Sequence, residues 1–246
     1  MRRLVILLLL LAPLSLVARN IYVVSVGICR YQYIKPLRKA ENDARSMADL
    51  YKTHTSQVTL LTGSQATHDQ ILTTMAQVFG QASEDDVVVL FFSGHGSPGG
   101  LCAYDTHDEQ TLVSYDEVKN VLRQCRAANK QLFIDACFAG GLRSKGTSAT
   151  AASSLGQTEG VMLFLSSRTS ETSRENPYGT NGFFTQYLVR GLKGGADTNR
   201  DRIVGAKEIF DFVSAKVKTA THDKQHPVMW GRFSDTMHIL NWNPAK

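Results

Sequence analysis

The sequence predicts one α/β domain, a sandwich of helices about a mostly parallel sheet. Three observations carry that expectation. The chain is 246 residues long with 43% hydrophobic and 20% charged residues, enough to bury one sizeable core and too apolar for a disordered or collagen-like chain. Short β-branched runs alternate with helix-period segments, the pattern of a parallel sheet covered on both faces. Two glycine-flanked motifs each follow an apolar strand, where ligands bind in open parallel sheets.

Met1-Arg2-Arg3 and the apolar run Leu4 to Val17, ending at the small Ala18, read as a secretory signal peptide over residues 1–18. As a helix, the fourteen-residue run reaches about 21 Å, short of a bilayer core of roughly 30 Å. Cleavage there leaves residues 19–246 as the domain. It removes Arg2 and Arg3, so the net charge of +5 becomes +3. No Lys/Arg run exceeds two residues, so no nucleic-acid footprint is indicated, and no later run is long enough to span a membrane.

Ile21–Ile28 reads as a buried strand, Glu41–Tyr51 as a helix with Ala44, Met47, Ala48 and Tyr51 on one face, and Val58–Leu61 as a strand. Thr67 to Phe79 is an amphipathic helix with a Thr67/Gln70 capping box. Asp86–Phe92 is the strongest strand pattern. Ser114 and Glu117 form a second capping box, opening a helix to about Cys125. Gln131–Ile134 and Gly160–Leu165 are further strands, Phe183–Leu192 and Ala206–Val217 helices, and Met237–Leu240 a last strand. Residues 144–158 hold twelve Ser, Thr, Ala or Gly in fifteen, a composition with little to bury that predicts a flexible surface loop.

After Asp86–Phe92 comes Ser93-Gly94-His95-Gly96, and after Gln131–Ile134 comes Asp135-Ala136-Cys137-Phe138-Ala139-Gly140. If those strands are neighbours, His95 and Cys137 meet at one sheet edge as a thiol–imidazole nucleophile. The Gly96 and Cys137 amides are then candidates for an oxyanion hole. Gly94-x-Gly96-x-x-Gly99 matches a dinucleotide fingerprint, but no helix pattern follows Gly99 to hold a pyrophosphate. Cys102, His107 and Cys125 fit no standard zinc spacing. Among the four cysteines, Cys102 with Cys125 is the first disulfide to test.

Phe91-Phe92-Ser93-Gly94-His95-Gly96 and Asp135-Ala136-Cys137-Phe138-Ala139-Gly140 resemble the two signature blocks of the caspase/metacaspase-like cysteine peptidases. Val26-Gly27-Ile28 with Asn42-Asp43-Ala44, and Gly182 to Thr185 with Gly191-Leu192, are similar to further blocks, so the resemblance runs from about Ile21 to Leu240. It implies a three-layer αβα sandwich of the caspase–haemoglobinase type and a protein or peptide substrate. Cys137 would be the nucleophile and His95 the base, with no third orienting side chain and no cofactor required. Metacaspase-like members prefer Arg or Lys before the cleaved bond, and their pocket positions match Asp43, Ser93 and Asp135. Paired carboxylates and a hydroxyl suit a guanidinium. The sequence departs from that pattern at Ala40, where a small polar residue is usual, and Asp105, Asp108 and Glu109 only loosely echo the family's calcium loop. In this family the region after the nucleophile is often a processing loop. Here Arg143 precedes it and Lys145 lies in it, so self-cleavage is expected there. The rival expectations are a peptidase of the same clan with another specificity, such as a legumain-like one, and a non-catalytic protein-binding module on the same fold.

One motif stands apart from the resemblance. Asp197, Asn199, Asp201, Ile203 and Glu208 occupy ligand positions 1, 3, 5, 7 and 12 of an EF-hand loop, making calcium a possible ligand. Arg202 stands where that loop normally has glycine.

Overall fold

The computed structural model of the chain describes residues 19–97, 99–137, 155–168, 171 and 173–243, with Cys137 through its main chain. The expected signal peptide, Arg143, Lys145 and most of the 144–158 loop lie outside the described residues. Among those described, no helix is long and apolar enough to cross a membrane.

The fold is three-layered, as the alternation of elements predicts, with helices on both faces of one sheet. Its main path runs β2 (Val58–Thr62), β1 (Ile21–Gly27), β3 (Val87–Ser97), β6 (Asn129–Cys137), β7 (Val161–Leu165) and β9 (Val228–Gly231). All pairs on this path are parallel except β7 with β9. Side chains alternate between faces along each strand. Val24, Val88, Leu90, Leu132 and Leu163 therefore share one core with α2 (His68–Phe79) and α3 (Tyr115–Gln124). Val23, Val89, Phe91, Phe133 and Phe164 share the other with α1 (Ala40–Lys52), α4 (Phe183–Arg190) and α5 (Ala206–Ala220). Both faces are buried, which is why these strands read as unbroken apolar runs rather than alternating ones.

The Ser114 box forms in full, with Ser114 Oγ accepting from Glu117 N and Glu117 accepting from Ser114 N. The Thr67 box forms only in half. Thr67 Oγ1 accepts from Gln70 N, but the Gln70 amide turns along the helix and donates to Thr74 Oγ1 at 3.0 Å.

Several expectations need correction. β3 continues to Ser97 and β6 to Cys137, so His95 and Cys137 lie on strand ends and not in loops. The extension of β3 is supported by β4 (Gly100–Leu101), which pairs antiparallel with Gly96 and Ser97 and in turn with β5 (Val113–Ser114). The expected last strand does form, as β10 (His238–Asn241), and pairs with β8 (Ile203–Gly205) in a separate two-stranded sheet. α4 stops at Arg190, followed by a widened turn over Gly191–Gly195 in which Gly194 has φ +96°. A Cβ at Gly194 would lie 2.7 Å from the Trp242 ring, so only glycine fits there. Cys102 and Cys125 are not bonded to each other: Cys29, Cys102 and Cys125 are all free thiols.

Candidate active site

The chain leaves β1 toward β2 on one side and returns to β3 on the other, so a crevice forms beyond the carboxyl ends of β1 and β3. Every candidate catalytic and pocket residue sits at that edge. The register places Gly27 beside Ser93, Ser93 beside Asp135, and His95 beside Cys137. β3 and β6 pair at nine positions, and the two motifs face each other at the last three. α1 packs against the end of β1, where a Cβ at Gly27 would fall 2.4 Å from Ala40 O. That close approach brings Asp43, on the first turn of α1, over Ser93.

His95 is held from two directions by the loop between β1 and α1. Its Nε2 lies 2.8 Å from Lys35 O. A carbonyl only accepts, so Nε2 carries the proton and Nδ1 is left as the acceptor. The Tyr31 hydroxyl accepts from His95 N at 2.7 Å, and the Tyr31 ring lies 5.1 Å from the imidazole at 46°. A Cβ at Gly94 would sit 2.5 Å from Tyr31 Oη, which accounts for glycine before the histidine. Burial lowers the imidazole pKa, against the Lys35 hydrogen bond and the Glu175 charge, which raise it. The sequence nominates no orienting side chain; the structure supplies a main-chain carbonyl, which has no residue signature.

Gly96 is oriented by the β3–β4 pairing. Cys102 N donates to His95 O, which makes those two the hydrogen-bonded pair. In the next pair, Gly96 with Leu101, the amides point away from the partner strand, so Gly96 N–H turns from β4 toward the edge where β6 ends.

Asp43 and Asp135 are both buried. Asp43 Oδ1 accepts from Asn181 Nδ2 at 3.0 Å and Gly182 N at 2.9 Å, and Oδ2 from Ser93 Oγ at 2.9 Å. Asp135 Oδ1 accepts from Ser173 Oγ at 2.6 Å, and Oδ2 from Thr185 Oγ1 at 2.7 Å. Gly182 lies between them: a Cβ there would be 3.3 Å from Asp135 Oδ2 and 3.5 Å from Asp43 Oδ2. Two carboxylates in one dry place resist ionising together. Burial, then the charge of Asp135, pushes Asp43 up to about 7, against the donors from Asn181, Gly182 and Ser93. Burial likewise raises Asp135, against the Ser173 and Thr185 hydroxyls.

Residues 173–182 close this pocket as a strap, which sequence reasoning missed. Besides Ser173, Asn181 and Gly182, it contributes Glu175, whose Oε1 accepts from Arg38 N at 2.7 Å and Lys39 N at 2.8 Å. Lys39 Nζ donates to Gly179 O at 2.5 Å. The cavity left between the strap and Asp43, Ser93 and Asp135 is about 40 Å³.

The 197–208 loop is remote from this edge. Arg200 and Arg202 take φ of +63° and +70°, so the turn forms without glycine. Asp197 Oδ2 accepts from Arg202 N and Trp242 Nε1, Asn199 Oδ1 from Asp201 N, Asp201 Oδ1 from Ile203 N, and Glu208 Oε1 from Thr198 N and Oγ1. Asp197 Oδ1 is buried without a hydrogen-bond partner among the described residues. Among the described residues, no group of three or more His, Cys, Asp or Glu is placed to hold a metal ion.

Comparison with known proteins agrees with this fold. A family model described as the caspase domain matches residues 22–237. A crystal structure of a Geobacter sulfurreducens protein superposes with a TM-score of 0.68 at 16% identity, covering 91% of this chain and 98% of that one. Caspase-1 from Spodoptera frugiperda superposes with a TM-score of 0.62 at 19% identity, covering 90% and 91%. At such identities the likeness concerns the fold. A search of curated proteins finds no match.

Proposed function

Because the chain belongs to the caspase-domain family, whose fold is that of a cysteine peptidase, we propose that it is an exported cysteine endopeptidase that cleaves after Arg or Lys. One observation carries the reading. The pairing of His95 with Cys137 stands two residues beyond that of Ser93 with Asp135, so the thiol–imidazole pair and the acidic pocket share one edge.

In this mechanism His95 Nδ1 takes the Cys137 thiol proton and the thiolate attacks the carbonyl carbon. The oxyanion is met by the N–H groups of Gly96 and Cys137. The C–N bond breaks, the imidazolium protonates the departing amine, and water hydrolyses the thioester with His95 again as base. Lys35 O stabilises the imidazolium through Nε2–H. These steps require no cofactor.

A guanidinium or ammonium entering beside Asp43 and Asp135 would favour the ionised form of both carboxyl groups, and gain charge-assisted hydrogen bonds. A void of about 40 Å³ holds a water and not an arginine side chain. Substrate entry therefore requires the 173–182 strap to shift, exchanging its hydroxyl and amide donors for the substrate's.

A fluorogenic peptide panel with Arg, Lys, Asp or Asn before the bond tests the reading. Hydrolysis of the Arg and Lys peptides is expected, and its loss in Cys137→Ala and His95→Ala. Preference for Asp or Asn would assign another specificity to the fold, and no hydrolysis under reducing conditions would favour a binding module.

A further inference from the structure

We infer that the loop between β1 and α1 forms a second subsite, on the leaving-group side of the dyad, that takes an acidic side chain of the peptide substrate. The inference rests on the peptidase reading and extends it to substrate class. A cavity of about 620 Å³ opens between this loop and the turn after β2. Arg30, Leu37 and Arg38 wall it from the loop, Glu41 from α1, and Tyr104 from the far side.

Its charge is set by the arginines. Glu41 is paired with Arg45 at 3.6 Å, on the next turn of α1. Glu175, the other carboxylate near the loop, commits Oε1 to the main-chain N–H groups of Arg38 and Lys39. The exposed guanidinium groups of Arg30 and Arg38 form no ion pair among the described residues. Two guanidinium groups against the single carboxylate of Glu41 leave the lining with a net positive charge, and a concave, partly enclosed site concentrates that field on an opposite charge.

Its place follows from His95. The imidazole gives its proton to the departing amine, so the residues after the cleaved bond leave past the ring. The groups around that ring, Lys35 O and Tyr31, belong to the same loop as Arg30 and Arg38. Leu37 lines both this cavity and the Asp43/Asp135 pocket, so the two adjoin. An extended peptide advances about 3.3–3.6 Å per residue, so the subsite is assigned to one of the first few residues after the bond.

The test uses the full chain and peptides with Arg before the bond, carrying Glu, Gln or Lys at each of the first three positions after it. At one position kcat/KM for Glu is expected to exceed that for Gln by about fivefold at low ionic strength, and the advantage to shrink in about 0.5 M salt. The Arg30→Ala/Arg38→Ala double variant is expected to retain hydrolysis of the Gln peptide and lose the Glu preference. Arg38→Glu is expected to shift preference toward Lys. Equal rates for Glu and Gln at all three positions, or a preference that survives the double variant, would overturn the subsite. If no peptide is cleaved at all, fluorescence anisotropy of the same peptides on Cys137→Ala decides separately. A Glu preference that Arg30→Ala/Arg38→Ala abolishes keeps the subsite although the peptidase reading has failed, and its absence removes both.

Discussion

Replacing Asp43 by Asn is expected to stabilise the protein at neutral and higher pH while destroying the pocket's charge. Asp43 is raised from its ordinary 3.8 to about 7, chiefly by burial and then by Asp135. A native group that keeps its proton to higher pH than the unfolded chain makes folding less favourable as pH rises. The contribution is fully present below 3.8, falls across the window from 3.8 to about 7, and is lost above it. At 1.36 kcal/mol per pH unit, the whole interval is worth on the order of 4 kcal/mol. Asn keeps the geometry: Oδ1 still accepts from Asn181 and Gly182, and Nδ2 donates to Ser93 Oγ. At pH 8 the variant should melt higher than wild type by on the order of 10 °C, since 1 kcal/mol moves Tm by about 2–4 °C at this chain length. Near pH 4 the two should converge. The assay is Tm by calorimetry for both proteins from pH 4 to pH 8.5. A Tm difference independent of pH, or a variant that loses ground as pH rises, would refute the buried-pair electrostatics.

Two further outcomes follow from local geometry. Gly94→Ala forces Tyr31 away from His95, and is expected to cost about 1–3 kcal/mol of stability as an overpacked site does, with activity falling by more than the folded fraction does; denaturant melts and kcat on one sample separate the two. Ser114→Ala removes the N-cap of α3 and should cost about 1 kcal/mol, read as a lower urea midpoint with unchanged peptide cleavage.

The layers of the fold and the pairing of the two chemical motifs were legible because both are carried by short-range pattern. Apolar runs mark strands buried on both faces, and neighbouring parallel strands bring their ends together. What escaped the sequence is carried by contacts across long separations. The extension of β3 depends on β4, a two-residue partner with no periodicity to detect. β9 is only half-buried and joins β7 from 63 residues away, Leu165 facing Val228. The strap reaches its partners over even longer separations: Glu175 bonds Arg38 N, and Gly182 bonds Asp43. Thr185 stood inside a resembling block without a role until its hydroxyl was found on Asp135. The acidic loop at 197–208 was legible as a turn, and its backbone follows that turn. Which donors satisfy its carboxylates depended on Trp242, a residue 45 positions away.

The central claim is that Cys137 and His95 act as one nucleophile. Selective alkylation tests it without any choice of substrate. Burial holds the thiols of Cys29, Cys102 and Cys125 above their ordinary value, Cys102 up to about 12. A thiol beside an imidazole is instead shifted toward the thiolate. With iodoacetamide at about pH 6.5, peptide mass mapping should find Cys137 modified first in the wild type, and its rate markedly slowed in His95→Ala. Modification led by Cys29, or a Cys137 rate indifferent to His95, would contradict the account.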